Sequence, residues 1–134
     1  MGKGAVRVGF VSAAIFFTGC RDAFSPPAGT YRFDAPIAYQ AQWDSVEACS
    51  GLEGDLARVQ WHAVPLDIFS CGEGQNCFGA WRPPHNAYVT EWAKDDSLDH
   101  YRTVRHEMLH DLLGGPIIGD PHPPVFRTCG LAGR

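Results

Sequence analysis

The chain has 134 residues with 11 basic and 15 acidic side chains, a formal charge of −4 at pH 7. That acidic balance excludes nucleic-acid binding, which needs a basic face. The length allows one domain of modest size, and the apolar run Val8–Phe17 is too short to cross a hydrocarbon core of about 30 Å as a helix.

The N-terminus points to export. Lys3 and Arg7 precede the apolar run, and the small residues of "FTGC" close it, the pattern of a secretory signal over residues 1–19. "FTGC" also resembles the bacterial lipobox, which would make Cys20 the lipid-bearing residue and the domain a membrane-anchored lipoprotein. Loss of Lys3 and Arg7 with the signal takes the formal charge from −4 to −6. With Cys20 set aside, Cys49, Cys71, Cys77 and Cys129 remain, an even number that reads as two disulfides in an exported domain. Cys71 and Cys77 bracket "GEGQN", whose glycines allow a tight reversal, so they are expected to pair, leaving Cys49 with Cys129. A cysteine zinc site is disfavoured because no Cys-x-x-Cys spacing occurs.

After Cys20, "RDAFSPPAGTYRFDAP" has two prolines, a glycine and few apolar clusters, and is expected to be a tether over 20–36, with the folded domain over 37–134. "IAYQAQWDSVEACSG" predicts a first helix, since Tyr39, Trp43 and Val46 fall at helical spacing and Gly51 is placed to end it. "ARVQWHAVPL" alternates as a strand with Val59, Trp61 and Ala63 on one face. "CFGAW" and "NAYVTEW" predict two further strands around the turn "RPPH". "DDSLDHYRTVRHEMLHDLLGG" predicts a long helix over 95–115, capped by Asp96 or Ser97 and stopped by Gly114, Gly115 and Pro116. An irregular proline-rich tail follows. The fold class implied is α+β, a short mixed sheet packed on two helices.

The long helix carries the chemistry. His106 and His110 are one turn apart, so both imidazoles project from one side and can meet one ion. Neutral imidazole is a preferred zinc ligand. Glu107, next around the helix, is not placed to bind the same ion but can act as a base on water beside it. A catalytic zinc site normally has three protein ligands and an open position. The next histidine is His122, stiffened by Pro121, Pro123 and Pro124. Asp120 lies two positions away on the same face of an extended segment, and is the rival ligand or a partner that orients a histidine. His122 is favoured because imidazole suits zinc better.

"HEMLH" on a helix resembles the zincin metallopeptidases. That resemblance implies His106 and His110 as zinc ligands, Glu107 as general base, and peptide or protein substrates. The spacing departs from the metzincin branch, since Leu113 and Pro116 stand where glycine and a third ligand would fall and no Met-turn methionine follows. It departs from the gluzincins because no glutamate follows Glu107. The lipobox, the short strands, "HEMLH" and "HPPVF…C" together are similar to a small group of exported bacterial zincin-like proteins. The resemblance also implies substrate bound along a sheet edge, with "CFGAW" as that edge and the backbone of Gly79, Ala80 and Trp81 as its pairing groups. A monomeric zinc peptidase is thus expected. The alternatives are a noncatalytic metal-binding lipoprotein and a zinc amidase acting on cell-wall peptides. His62 is expected to be exposed, His85 to lie in a turn and His100 in the first turns of the long helix. The four tryptophans are expected in the core, and Tyr88 and Arg127 are candidates for stabilising an oxyanion.

Overall fold

Tyr39, Trp43 and Val46 recur at helical spacing, and in the computed structural model they are the buried face of a helix, Ala38–Ser50 (α1). Gly51 ends it at φ 71°, a left-handed conformation that glycine adopts without steric cost. The structure describes residues 24–116 and 121–133. The expected signal over 1–19, Cys20, the first residues of the tether and Asp120 lie outside the described residues.

Six strands form where three were expected: β1 Tyr31–Phe33, β2 Gln60–Val64, β3 Phe69–Gly72, β4 Gln75–Cys77, β5 Gly79–Arg82 and β6 Asn86–Thr90, of which β1, β3 and β4 are additional. Four of them form one sheet in the order β1-β2-β6-β5, in which β2 and β6 are parallel and the other pairs antiparallel. The fold is therefore α+β with a short mixed sheet, and β5 takes one edge. Trp61, Ala87 and Val89 face the helices and join Tyr39, Trp43, Val104, Met108 and Leu109 in the main core. Alternate residues point the other way. Ala80 and Tyr88 pack there with Phe69 and Cys71 of the separate β3–β4 hairpin and with Phe24.

Several boundaries differ from the sequence reading. The segment expected as a tether supplies β1, paired with β2 through Tyr31–Ala63 and Phe33–Trp61, and Phe24 stacks edge-on to Tyr88 at 4.9 Å. The residues before β2 form a 3-10 turn, Leu56–Arg58, capped by the Asp55 side chain. The last strand stops at Thr90, and Trp92 belongs to a short helix, Glu91–Lys94 (α2). The long helix begins at Arg102 and ends at Leu113 (α3), seven residues later than expected. Asp96 and Ser97 do not cap it. Asp96 instead accepts the Asp99 N–H on its carboxylate and the Tyr101 N–H on its carbonyl, and His100 and Tyr101 turn the chain at φ 50° and 53°. His100 thus precedes the helix, in a turn. Leu98 is 94% exposed, so the segment 95–101 has no apolar stripe to bury, and its aspartates favour turns over helix. The tail is not wholly irregular, because Pro124–Thr128 forms a helical turn (α4) with Pro124 at its first position.

The sulfurs join Cys49 to Cys129 and Cys71 to Cys77, the pairing read from the sequence. Two disulfides in so small a domain fit an exported protein. Among the described residues no helix is long and apolar enough to cross a membrane. The Cys49–Cys129 bridge ties the end of α1 to the end of α4 across a separation of 80 residues. In the chain-entropy model a loop of that size contributes about 4.5 kcal/mol. Replacing both cysteines by alanine should lower the unfolding free energy in urea by that order and expose the tail to protease. An unchanged midpoint would show that the tail is held by packing alone.

Candidate metal centre

Helical spacing puts His106 and His110 on one side of α3, and the chain returns after Gly114 and Gly115 to bring His122 against them. Three imidazoles converge. His110 Nε2 is 3.0 Å from His106 Nε2 and 3.2 Å from His122 Nε2. The three residues form a group able to hold a metal ion, with their ligand atoms all within 4.8 Å of one another. His106 Nδ1–H donates to the Leu131 carbonyl at 2.7 Å, and His110 Nδ1–H faces the Gly115 carbonyl at 3.4 Å. With the protons on Nδ1, Nε2 carries a lone pair in both rings. Lone pairs this close repel unless a cation lies between them. Four ligands at about 2.0–2.1 Å in a tetrahedron stand about 3.3 Å apart, close to the nitrogen separations here.

Burial keeps these rings neutral. Desolvation first, with the neighbouring His122 and Arg102 charges adding to it, lowers the His106 pKa to about 4 against the pull of the Leu131 carbonyl. His110 falls to about 3, again mainly by desolvation and then by the other two histidines. His122, more exposed, is lowered by desolvation too. Phe126, fully buried, floors the group, with its ring centroid 4.9, 4.7 and 4.5 Å from those of His106, His110 and His122. It excludes water from the underside of the rings and fixes their tilt.

Glu107 turns from the histidines toward the edge strand. It is 2% exposed, and its Oε2 has no hydrogen-bond partner among the described residues. Desolvation pushes its carboxyl well above the usual carboxylate range, opposed by the Arg82 charge. A side chain at Gly79 would run into the Glu107 carboxylate and stand 2.8 Å from Thr103 Cγ2. Glycine is thus what lets β5 approach the helix this closely. One turn further along α3, Asp111 accepts three side-chain hydrogen bonds at 3.0 Å, from Trp81 Nε1, His85 Nδ1 and Arg58 Nε. Four residues of helix rise about 6 Å and two residues of strand about 6.8 Å, so Glu107 and Asp111 keep step with Gly79 and Trp81.

Gly79, Ala80 and Trp81 do lie on an edge strand, with Ala80 and Trp81 buried by side chain. His62 is not simply exposed: it is half-buried, stacked on Tyr88 at 4.5 Å and 3.3 Å from Asn86 Oδ1. Tyr88 packs in the hairpin-side cluster, away from α3, which removes it as an oxyanion partner. Three tryptophans are in the core, but Trp92 is 43% exposed against Phe78. Sequence reasoning missed Asp111 and Phe126. Asp111 was signalled by its place four residues after Glu107 on the same helix face. Phe126 carried no signal, since its role depends on how the tail folds.

Comparison with known proteins adds a partial likeness. A disintegrin and metalloproteinase with thrombospondin motifs 12 of Mus musculus is 29% identical over 102 residues, 68% of this chain and 6% of that protein. The chain therefore matches only a small part of that relative's length. No family model and no solved structure matches. The partial likeness to a metalloproteinase and the three histidines agree in pointing to metal binding or metallopeptidase chemistry.

Two measurements check this geometry. Because His106 and His110 are depressed below 6.5, the unfolded chain binds more protons than the folded one between about pH 6.5 and about 3. Metal-free protein should therefore lose stability as pH falls through that window, and His106→Gln with His110→Gln should flatten the loss. Equal slopes in urea melts at stepped pH would contradict the burial. Asp111→Ala removes the acceptor of three side-chain bonds, two from half-exposed donors, and should cost roughly 2–3 kcal/mol. A loss under about 0.5 kcal/mol, the range of an ordinary surface change, would mean that Asp111 does not tie α3 to β5.

Proposed function

We propose that this domain is an exported zinc-dependent peptidase in which His106, His110 and His122 hold the metal and Glu107 is the general base. The observation that carries the reading is the convergence of three neutral imidazoles one helical residue from a buried carboxyl that borders an edge strand. An all-imidazole donor set suits zinc, and the three rings bring their ligand atoms within 4.8 Å of one another. When bound, zinc supplies Lewis-acid polarisation of a carbonyl and acidifies water. The chain's own residues do the rest. The β5 backbone at Gly79 and Trp81 pairs with an extended peptide and holds its carbonyl beside the helix. Glu107 takes a proton from water as the water oxygen bonds to the carbonyl carbon, then delivers it to the amine nitrogen as the C–N bond breaks. Phe126 and Met108 keep the underside dry.

In the same reading, residues 1–19 direct export and Cys20 carries the lipid that holds the domain at a membrane. The second reading is a noncatalytic metal-binding protein, favoured by the near-complete burial of Glu107.

Glu107→Gln separates the two. The amide keeps the shape but accepts no proton at neutral pH, so zinc content should be unchanged while the rate on a peptide library falls at least about 10²-fold. His106→Ala and His110→Ala should each lose tight zinc. Equal cleavage by wild type and Glu107→Gln would contradict the mechanism, and stoichiometric zinc with no cleavage by either would favour the binding protein.

A further inference from the structure

A pocket of about 140 Å³ opens beside the histidine group, lined by His122, Pro123, Pro124, Phe126, Arg127 and Ala132. At about 30 Å³ for each water it has room for a short side chain. Its walls are stiff. Pro123 and Pro124 fix the entry to α4, Phe126 is fully buried, and the Cys49–Cys129 bridge holds the far end. Arg127 is the one charged residue in the lining.

An exposed arginine on an acidic domain is ordinarily a solvated one, but three observations set Arg127 apart. Its guanidinium has no hydrogen bond or ion pair among the described residues, although acidic side chains outnumber basic ones in the chain. It shares a small apolar pocket with His122, whose Nε2 stands 3.2 Å from that of His110, so a group held there borders the proposed metal. A second arginine lies behind the wall: Arg102 Nη2 donates to the carbonyl of Ala132, itself a lining residue, at 2.6 Å. An unpaired guanidinium on an apolar slot favours an anion, and its planar fork matches a carboxylate in two bonds.

We propose that this pocket is a carboxylate-binding subsite, in which Arg127 selects peptides presenting an acidic side chain or a free C-terminal carboxylate next to the bond to be cut. The inference rests on the peptidase reading and names its substrate class.

The test uses zinc-loaded Glu107→Gln, which binds without cleaving, and three fluorescent peptides of one neutral sequence. One is amidated, one has a free C-terminus, and one is amidated with an internal glutamate. Anisotropy should show one of the two carboxylate peptides bound about tenfold tighter than the neutral amide, and which of them wins identifies the source of the carboxylate. Arg127→Gln should abolish the difference at unchanged zinc content. Arg127→Glu should reverse it toward a lysine-bearing peptide, and Arg127→Lys should retain part of it. Equal binding of all three peptides, no binding of any, or a preference that survives Arg127→Gln would overturn the subsite. The two readings fail separately. Carboxylate-selective binding without cleavage by wild type overturns the peptidase and leaves the subsite, whereas cleavage by wild type without carboxylate selection does the reverse.

Discussion

The meeting of three imidazoles, with His110 Nε2 3.0 Å from His106 Nε2 and 3.2 Å from His122 Nε2, is the constraint on which the rest of the molecule depends. Lone pairs on His106 and His110 at this distance repel unless a cation lies between them. The three rings are held from behind. The Leu131 carbonyl fixes the tautomer of His106, Gly115 faces Nδ1 of His110, and Phe126 supports all three rings. Each of these contacts comes from the segment after α3, which the Cys49–Cys129 bridge ties back to α1. The disulfide is therefore part of the site's architecture as much as of the fold's stability.

The second constraint is the phase between α3 and β5. Glu107 meets Gly79 and Asp111 meets Trp81, each pair separated from the next by one helical turn and two strand residues. Asp111 draws donors from the 3-10 turn, the edge strand and the turn before β6, so one buried carboxylate pins the end of the helix to the sheet. Its neighbour in the chain is His110. The same bonds that register the sheet on the helix thus help to set the orientation of the His110 ring, and they place the carboxyl of Glu107 at the strand that ends the sheet.

Much of this was legible in the sequence where the signal is local. The spacing of Tyr39, Trp43 and Val46 gave α1, the alternation around Trp61 gave β2, and His-Glu-x-x-His inside an apolar helical pattern placed two of the converging histidines. The four cysteines pair as their spacing implies, because the glycine-rich loop closes Cys71 on Cys77 and leaves Cys49 with Cys129. Where the sequence misled, the deciding forces were not local. Tyr31–Phe33 has little reason to be a strand until β2 offers an edge, and residues 95–101 look helical until the aspartate caps and Leu98 are weighed against the absence of a buried stripe. His62 alternates outward as expected, yet Tyr88 on the neighbouring strand covers it. Phe126 is one phenylalanine in eight by sequence, and only the fold of the tail makes it the floor of the site.

The proposed centre stands or falls on the third histidine, because a catalytic zinc site normally has three protein ligands. X-ray absorption at the zinc edge of the loaded protein counts imidazole ligands directly. We expect three imidazole nitrogens at about 2.0–2.1 Å, falling to two in His122→Ala. Two imidazoles with a carboxylate oxygen in both proteins would move the third ligand to Asp120 and contradict the centre described here.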